Sequence, residues 1–78
     1  MRTEMTLAVR IGIVNAMARR AGEPGLTART EQVTDLAFSL LALGADAAPV
    51  VEALTNLAGE LETAMVRRGF ARREIPGI

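Results

Sequence analysis

Chemistry in this chain would have to come from carboxylates, hydroxyls and guanidinium groups. The 78 residues contain no histidine, cysteine or tyrosine, and all nine basic residues are arginine. General acid–base and nucleophilic catalysis draw mainly on His, Cys, Lys and Tyr, so an enzyme is not expected. With His and Cys both absent, no ordinary zinc site can be built. Glu60 and Glu62 stand two apart in the sequence and diverge on a helix. Glu52 and Glu60 stand eight apart, which is about 12 Å along a helix axis and too far to share a proton or a metal. No glycine-rich phosphate loop occurs; Gly22, Gly25 and Gly44 read as helix stops and turns. No catalytic residue, cofactor or metal ligand is therefore assigned.

The arginines are the remaining polar candidates. Arg67, Arg68, Arg72 and Arg73 cluster near the C-terminus. They suit contact with a phosphate backbone or an acidic partner. They equally suit charge compensation at a helix end followed by a solvated tail. The exclusive use of arginine fits the guanidinium fork's preference for carboxylate and phosphate. A GC-rich genome gives the same bias, along with the many alanines and glycines. Net charge is zero, but it is segregated. Residues 1–22 carry four arginines and one glutamate, residues 23–66 one arginine and seven acids, and residues 67–78 four arginines and one glutamate. Basic ends can thus meet acidic middles, within one chain or between two.

What must position these groups is a small hydrophobic core. Residues 1–78 make one domain. Half the residues are hydrophobic and mean hydropathy is +0.26, a high value that points to a partner surface. Chains below about 80 residues usually rely on disulfides, metals, oligomerisation or very regular helix packing. Without cysteine, helix packing and oligomerisation remain. The longest uncharged apolar run, residues 36–45, is far short of the ~20 residues that span a membrane. Arg2, an apolar stretch and Ala16-Met17-Ala18 resemble a secretion signal, but Glu4 and Arg10 break that pattern. A cytoplasmic location is expected.

The clearest element covers residues 46–69. Val50, Leu54, Leu57, Leu61 and Ala64 step by four, three, four and three, with Val51, Ala58 and Met65 beside them. That is a wide apolar stripe at helical period. Asp46 and Pro49 suit its start, and Arg67, Arg68 and Gly69 suit its end. The stripe must be covered, either by this chain or by another. A second helix is expected over 28–43, capped by Thr27 or Thr30 with Glu31 in its first turn. Val33, Leu36, Ala37, Leu40 and Leu41 form its apolar side, which Phe38 and Leu43 widen almost all round. Glu23-Pro24-Gly25 reads as the turn before it. Residues 3–21 fit a helix, with Leu7, Ile11, Val14 and Ala18 on one face. They also fit a strand, because Met5, Leu7, Val9, Ile11 and Ile13 alternate with smaller or more polar residues. The helix is favoured, since no second strand is available to pair. Gly12 and Gly59 fall inside helices and would permit close approach of a backbone. Pro76 and Gly77 prevent a long continued helix after Gly69, which leaves Ile75 and Ile78 on a short extended tail that either folds back onto the core, docks on something else or frays.

Met5-Thr6-Leu7-Ala8-Val9-Arg10, Ile13-Val14-Asn15-Ala16-Met17 and Gly25-Leu26-Thr27-Ala28-Arg29-Thr30-Glu31 together resemble the ribbon, first helix and second-helix start of a ribbon-helix-helix repressor. The resemblance covers residues 5–43. It implies a dimer that pairs two ribbons in the DNA major groove. Thr6 and Arg10 would face bases, and the helix start near Thr27 and Thr30 would grip phosphate.

The expectation is an all-α domain of three helices (about 4–21, 28–43 and 46–68) with a short extended C-terminal tail, forming a helical homodimer. It would be a non-enzymatic adaptor or inhibitor that occupies the surface of a larger protein, a type common among phage and mobile-element products. Val50, Leu54, Leu57 and Leu61 are the expected protein interface, and Arg67, Arg68, Arg72 and Arg73 the expected polar contacts. The dimeric ribbon-helix-helix DNA binder is the alternative, with nucleic acid a secondary partner. No membrane partner is expected.

Overall fold

The computed structural model of the chain describes residues 2–75, with side chains from residue 7 onward. Three helices of equal length follow one another: α1 (Arg2–Ala21), α2 (Pro24–Leu43) and α3 (Ala48–Arg67), then a single 3-10 turn at Arg72–Glu74. Among the described residues there is no strand. The all-α, three-helix expectation holds.

α1 settles the ambiguity of residues 3–21. Leu7, Ile11, Val14, Met17, Ala18 and Ala21 are all buried, and apart from the adjacent Met17 and Ala18 they recur every three or four residues. Taken as a strand, the same segment would have no neighbour to hydrogen-bond, whereas a helix satisfies its own backbone. Residues 5–10 are therefore helical and do not form the ribbon that the repressor resemblance requires. The Thr6 side chain, given to base contact by that resemblance, lies outside the described residues.

α2 begins four residues earlier than expected. Glu23 is extended (φ −99°, ψ 117°) and Pro24 opens the helix. Proline keeps the residue before it out of the helical region and is itself pre-set for the first helical position. Glu23-Pro24-Gly25 is thus a helix entry instead of a free turn. Thr27 and Thr30 are not caps. Their hydroxyls donate to the carbonyls of Glu23 and Leu26, one turn back, at 3.1 and 2.7 Å. Glu31 accordingly lies beyond the first turn, which holds no acidic residue. α3 starts at Ala48; the Asp46 carboxylate stays outside it and accepts the Ala48 N–H at 3.1 Å.

Gly22 and Glu23 alone connect α1 to α2. Gly22 has φ +64°, a left-handed conformation that costs other residues energy and lets the chain reverse in so few positions. α2 and α3 both close with paired bonds around a glycine. The N–H groups of Gly44 and Ala45 reach Leu41 and Leu40, and those of Gly69 and Phe70 reach Val66 and Met65. These tight reversals make α2 antiparallel to its neighbours and leave α1 and α3 parallel. Arg67 of α3 pairs with Glu23 at the start of α2, and Arg68 bonds the last residue of α1, which puts those three helix termini at one end.

α1 meets α3 more extensively than either meets α2. Val14, Leu54, Leu61 and Met65 have no more than a trace of exposure. α2 contributes only Thr30 and Ala37 to the fully buried set. Asn15 of α1 links to α2 by donating to Thr34 Oγ1 at 3.1 Å, while also bonding the Ile11 carbonyl. Every buried side-chain nitrogen or oxygen among the described residues has a partner. Beyond Gly69, half-buried Phe70 and Ile75 pack back on the core. Ile75 therefore folds back onto the bundle, the first of the alternatives for this segment, while Pro76, Gly77 and Ile78 lie outside the described residues.

No atom lies within 4 Å of a Cβ built on Gly12 or Gly59. Neither glycine serves a close approach within this chain. Two stability measurements follow from this packing. Leu54→Ala is expected to cost about 2–5 kcal/mol through lost burial and a cavity. Gly12→Ala is expected to gain up to about 1 kcal/mol of helix stability. Urea titration reads both. Near-wild-type stability for Leu54→Ala would place the stripe outside the core.

Candidate functional site

The four residues expected at a protein interface are core residues. Val50, Leu54, Leu57 and Leu61 retain at most 2% of their accessible surface within this one chain. The stripe of α3 finds its partner in α1, so these side chains have almost no area left with which to meet a second protein. The physical reason is the matching stripe on α1, which becomes continuous only when the whole segment is helical.

The arginine cluster forms, but most of it is engaged within the chain. Arg68 donates from Nη1 to the Ala21 carbonyl at 2.8 Å. Its guanidinium lies 3.0 Å from where a Cβ on Gly22 would stand. It therefore caps the C-terminus of α1 from the end of α3. Arg67 pairs with Glu23 at 3.0 Å, and Arg72 pairs with Glu62. Arg73 is exposed beside them. Arg19 and Arg20, in the last turn of α1, join the same end, because α1 and α3 run parallel. Two helix C-termini, each carrying about half a negative charge, thus sit among six arginines. The ion pairs are between exposed groups, each worth roughly 0–1 kcal/mol.

A groove of about 250 Å³ opens between the first turns of α2 and the second half of α3, lined by Glu23, Leu26, Glu60, Thr63 and Arg67. Its charges are matched at its rim, Glu23 with Arg67 and Glu60 with Arg29. Among the described residues no group of three acidic side chains converges to hold a metal. Among the described residues no helix is long and apolar enough to cross a membrane.

The unspent feature is α2. Leu36 is 51% exposed, Phe38 55% and Leu43 80%. Val33 and Leu40 are half-buried, touching the core from its edge. No charged residue occurs from 36 to 45, so two turns of helix and the following bend present an uncharged, largely apolar surface. Contiguous apolar surface of this kind marks interaction sites more often than scattered single residues do. The sequence signal was the apolar character of this helix on almost every side, more than one face can bury. The surface lies at the end of the bundle opposite the arginines, since α2 starts beside Arg67 and runs away from it.

No protein-family model matches the chain, and neither a curated protein nor a solved structure matches it significantly.

The Arg68 cap is directly testable. Arg68→Ala is expected to cost about 1 kcal/mol and to speed amide exchange in the last turn of α1. Gly22→Ala is expected to cost at least as much, because its φ is positive and the guanidinium occupies the space. Hydrogen exchange by NMR reads the first effect. Unchanged protection at residues 19–22 in Arg68→Ala would show that the bond does not hold α1.

Proposed function

We propose that this chain is a non-enzymatic interaction protein, of adaptor or inhibitor type, that works by laying one helical face against another protein. The working face is the C-terminal half of α2. The observation that carries this reading is the exposure of Leu36 and Leu43 on one face of α2, in a segment without a single charge. Burying a leucine or phenylalanine side chain contributes about 1.5–3 kcal/mol relative to leaving it wet. Two such side chains left exposed on one face of a helix favour a protein that covers them. The polar groups support the same reading, because the paired arginines and glutamates neutralise one another and converge on no reacting centre.

The test is affinity capture with the intact chain and with the double variant Leu36→Ser/Leu43→Ser. Both positions are exposed, so the variant is expected to keep its helical circular dichroism. A protein retained by the wild type, a second copy included, is expected to be lost by the variant. Identical retention by both proteins, with the fold intact, would remove α2 as the working face.

A further inference from the structure

We infer that the arginine-rich end of the bundle is a second working surface, which binds the phosphate backbone of double-stranded nucleic acid without reading its sequence. This goes beyond the α2 face, which lies at the opposite end and takes no part in it. The first argument is a count. The end gathers Arg19, Arg20, Arg67, Arg68, Arg72 and Arg73 against Glu23, Glu62 and Glu74, six cations to three anions, an excess of +3. The three helix termini there change this little: two C-termini at about −0.5 each and one N-terminus at about +0.5 leave roughly +2.5. Glu23 and Glu62 are taken by Arg67 and Arg72, and Glu74 accepts the Ala71 N–H at 3.1 Å. Arg68 donates to a carbonyl, which leaves its charge uncancelled. Arg19, Arg20 and Arg73 are exposed and pair with no carboxylate among the described residues.

The second argument is distance. The rest of the chain carries the balancing −3, with three arginines against six acids. Glu60 is held by Arg29. Glu31 lies about 10 Å along α2 from the basic end, and Asp46 and Glu52 stand where that helix finishes, about 30 Å away. At physiological salt the Debye length is about 8 Å, so these acids are largely screened from an anion at the arginine end. The third argument is what the end lacks. Among the described residues, Val66 is its one exposed large apolar side chain, whereas protein interfaces and membrane-bound helices need apolar anchors. A duplex backbone needs none, and it presents about one negative charge per 1.7 Å of axis. The guanidinium fork matches phosphate oxygens. Arg19 and Arg20 stand on α1 and Arg73 just beyond α3. Packed helices have axes about 8–10 Å apart, a span comparable with a duplex groove about 6–12 Å wide, so the arginines reach phosphates on both sides of it. The helices meet this end by their termini, so no helix lies in the groove and no base is read.

The test is fluorescence anisotropy of a labelled, random-sequence duplex DNA titrated with the full chain at several salt concentrations. About three phosphate contacts predict a slope of roughly −2.7 for log K against log salt, or about a hundredfold loss between roughly 25 and 150 mM. A duplex RNA of equal length, titrated in parallel, tells which nucleic acid is the better source of that backbone. Arg73→Gln is expected to lower the slope by about 1. The triple variant Arg19→Gln/Arg20→Gln/Arg73→Gln is expected to lose binding while its helical circular dichroism is unchanged. Arg29→Gln removes the same charge away from this end and is expected to leave the slope as it is. Leu36→Ser/Leu43→Ser is expected to bind duplex like the wild type, so this surface and the α2 face stand or fall separately. No binding of either duplex at low salt overturns the inference, and so does an equal loss in Arg29→Gln and Arg73→Gln. A poly-glutamate peptide that displaces the duplex at equal charge would also overturn it, and would make an acidic protein surface the partner of this end.

Discussion

The parallel contact between α1 and α3 is the interaction on which the remaining structure depends. A chain of 78 residues without cysteine has no disulfide to limit its unfolded state and must draw its stability from packed apolar area. That area is concentrated where Leu7, Ile11, Val14 and Met17 of α1 share one core with Leu54, Leu57, Leu61 and Met65 of α3. These helices are not neighbours in sequence. They can lie side by side only because α2 returns the chain between them, and two short glycine-containing connections make that return possible.

Parallel packing has an electrostatic consequence. It brings the C-termini of α1 and α3 to the same end, where unpaired carbonyls and helix dipoles accumulate negative charge. Arg19 and Arg20 of the first basic block meet the second basic block there. Arg68 shows the logic at atomic scale, with a guanidinium from one helix end donating to the last carbonyl of the other. Glu23, at the oppositely polarised start of α2, takes Arg67. Much of what reads as a basic patch along the sequence is thus helix-end compensation in the fold, though Arg19, Arg20 and Arg73 remain on the surface.

Two matched stripes nearly exhaust the core, and α2 is left with more apolar surface than the bundle can cover. Only Thr30 and Ala37 of α2 are fully buried, and Ala37 fills little volume. Larger side chains at 36, 38 and 43 stay outside. A helix that returns the chain needs to touch the core along one line, and α2 carries leucines well beyond that line.

Much of the fold was legible in the residues themselves. Periodicity, proline and glycine located three helices, and the absence of His, Cys, Lys and Tyr left carboxylates, hydroxyls and guanidinium groups as the polar side chains to follow. The start of α2 was misplaced because Pro24 and Gly25 serve turns and first helical turns alike, and Glu23 decides between them only through its extended backbone. The strand alternative for residues 5–11 was open for a similar reason, since apolar residues at every second and every third or fourth position overlap in so short a segment. Sequence by itself determined which helices could form and how much apolar surface they would carry, because those properties depend on neighbours within a turn or two. Only the tertiary structure decided which surface would be hidden. The stripe of Val50, Leu54, Leu57 and Leu61 went inside and Leu36 and Leu43 stayed out, because burial depends on which two helices pack most closely, and local periodicity is alike for the winner and the loser.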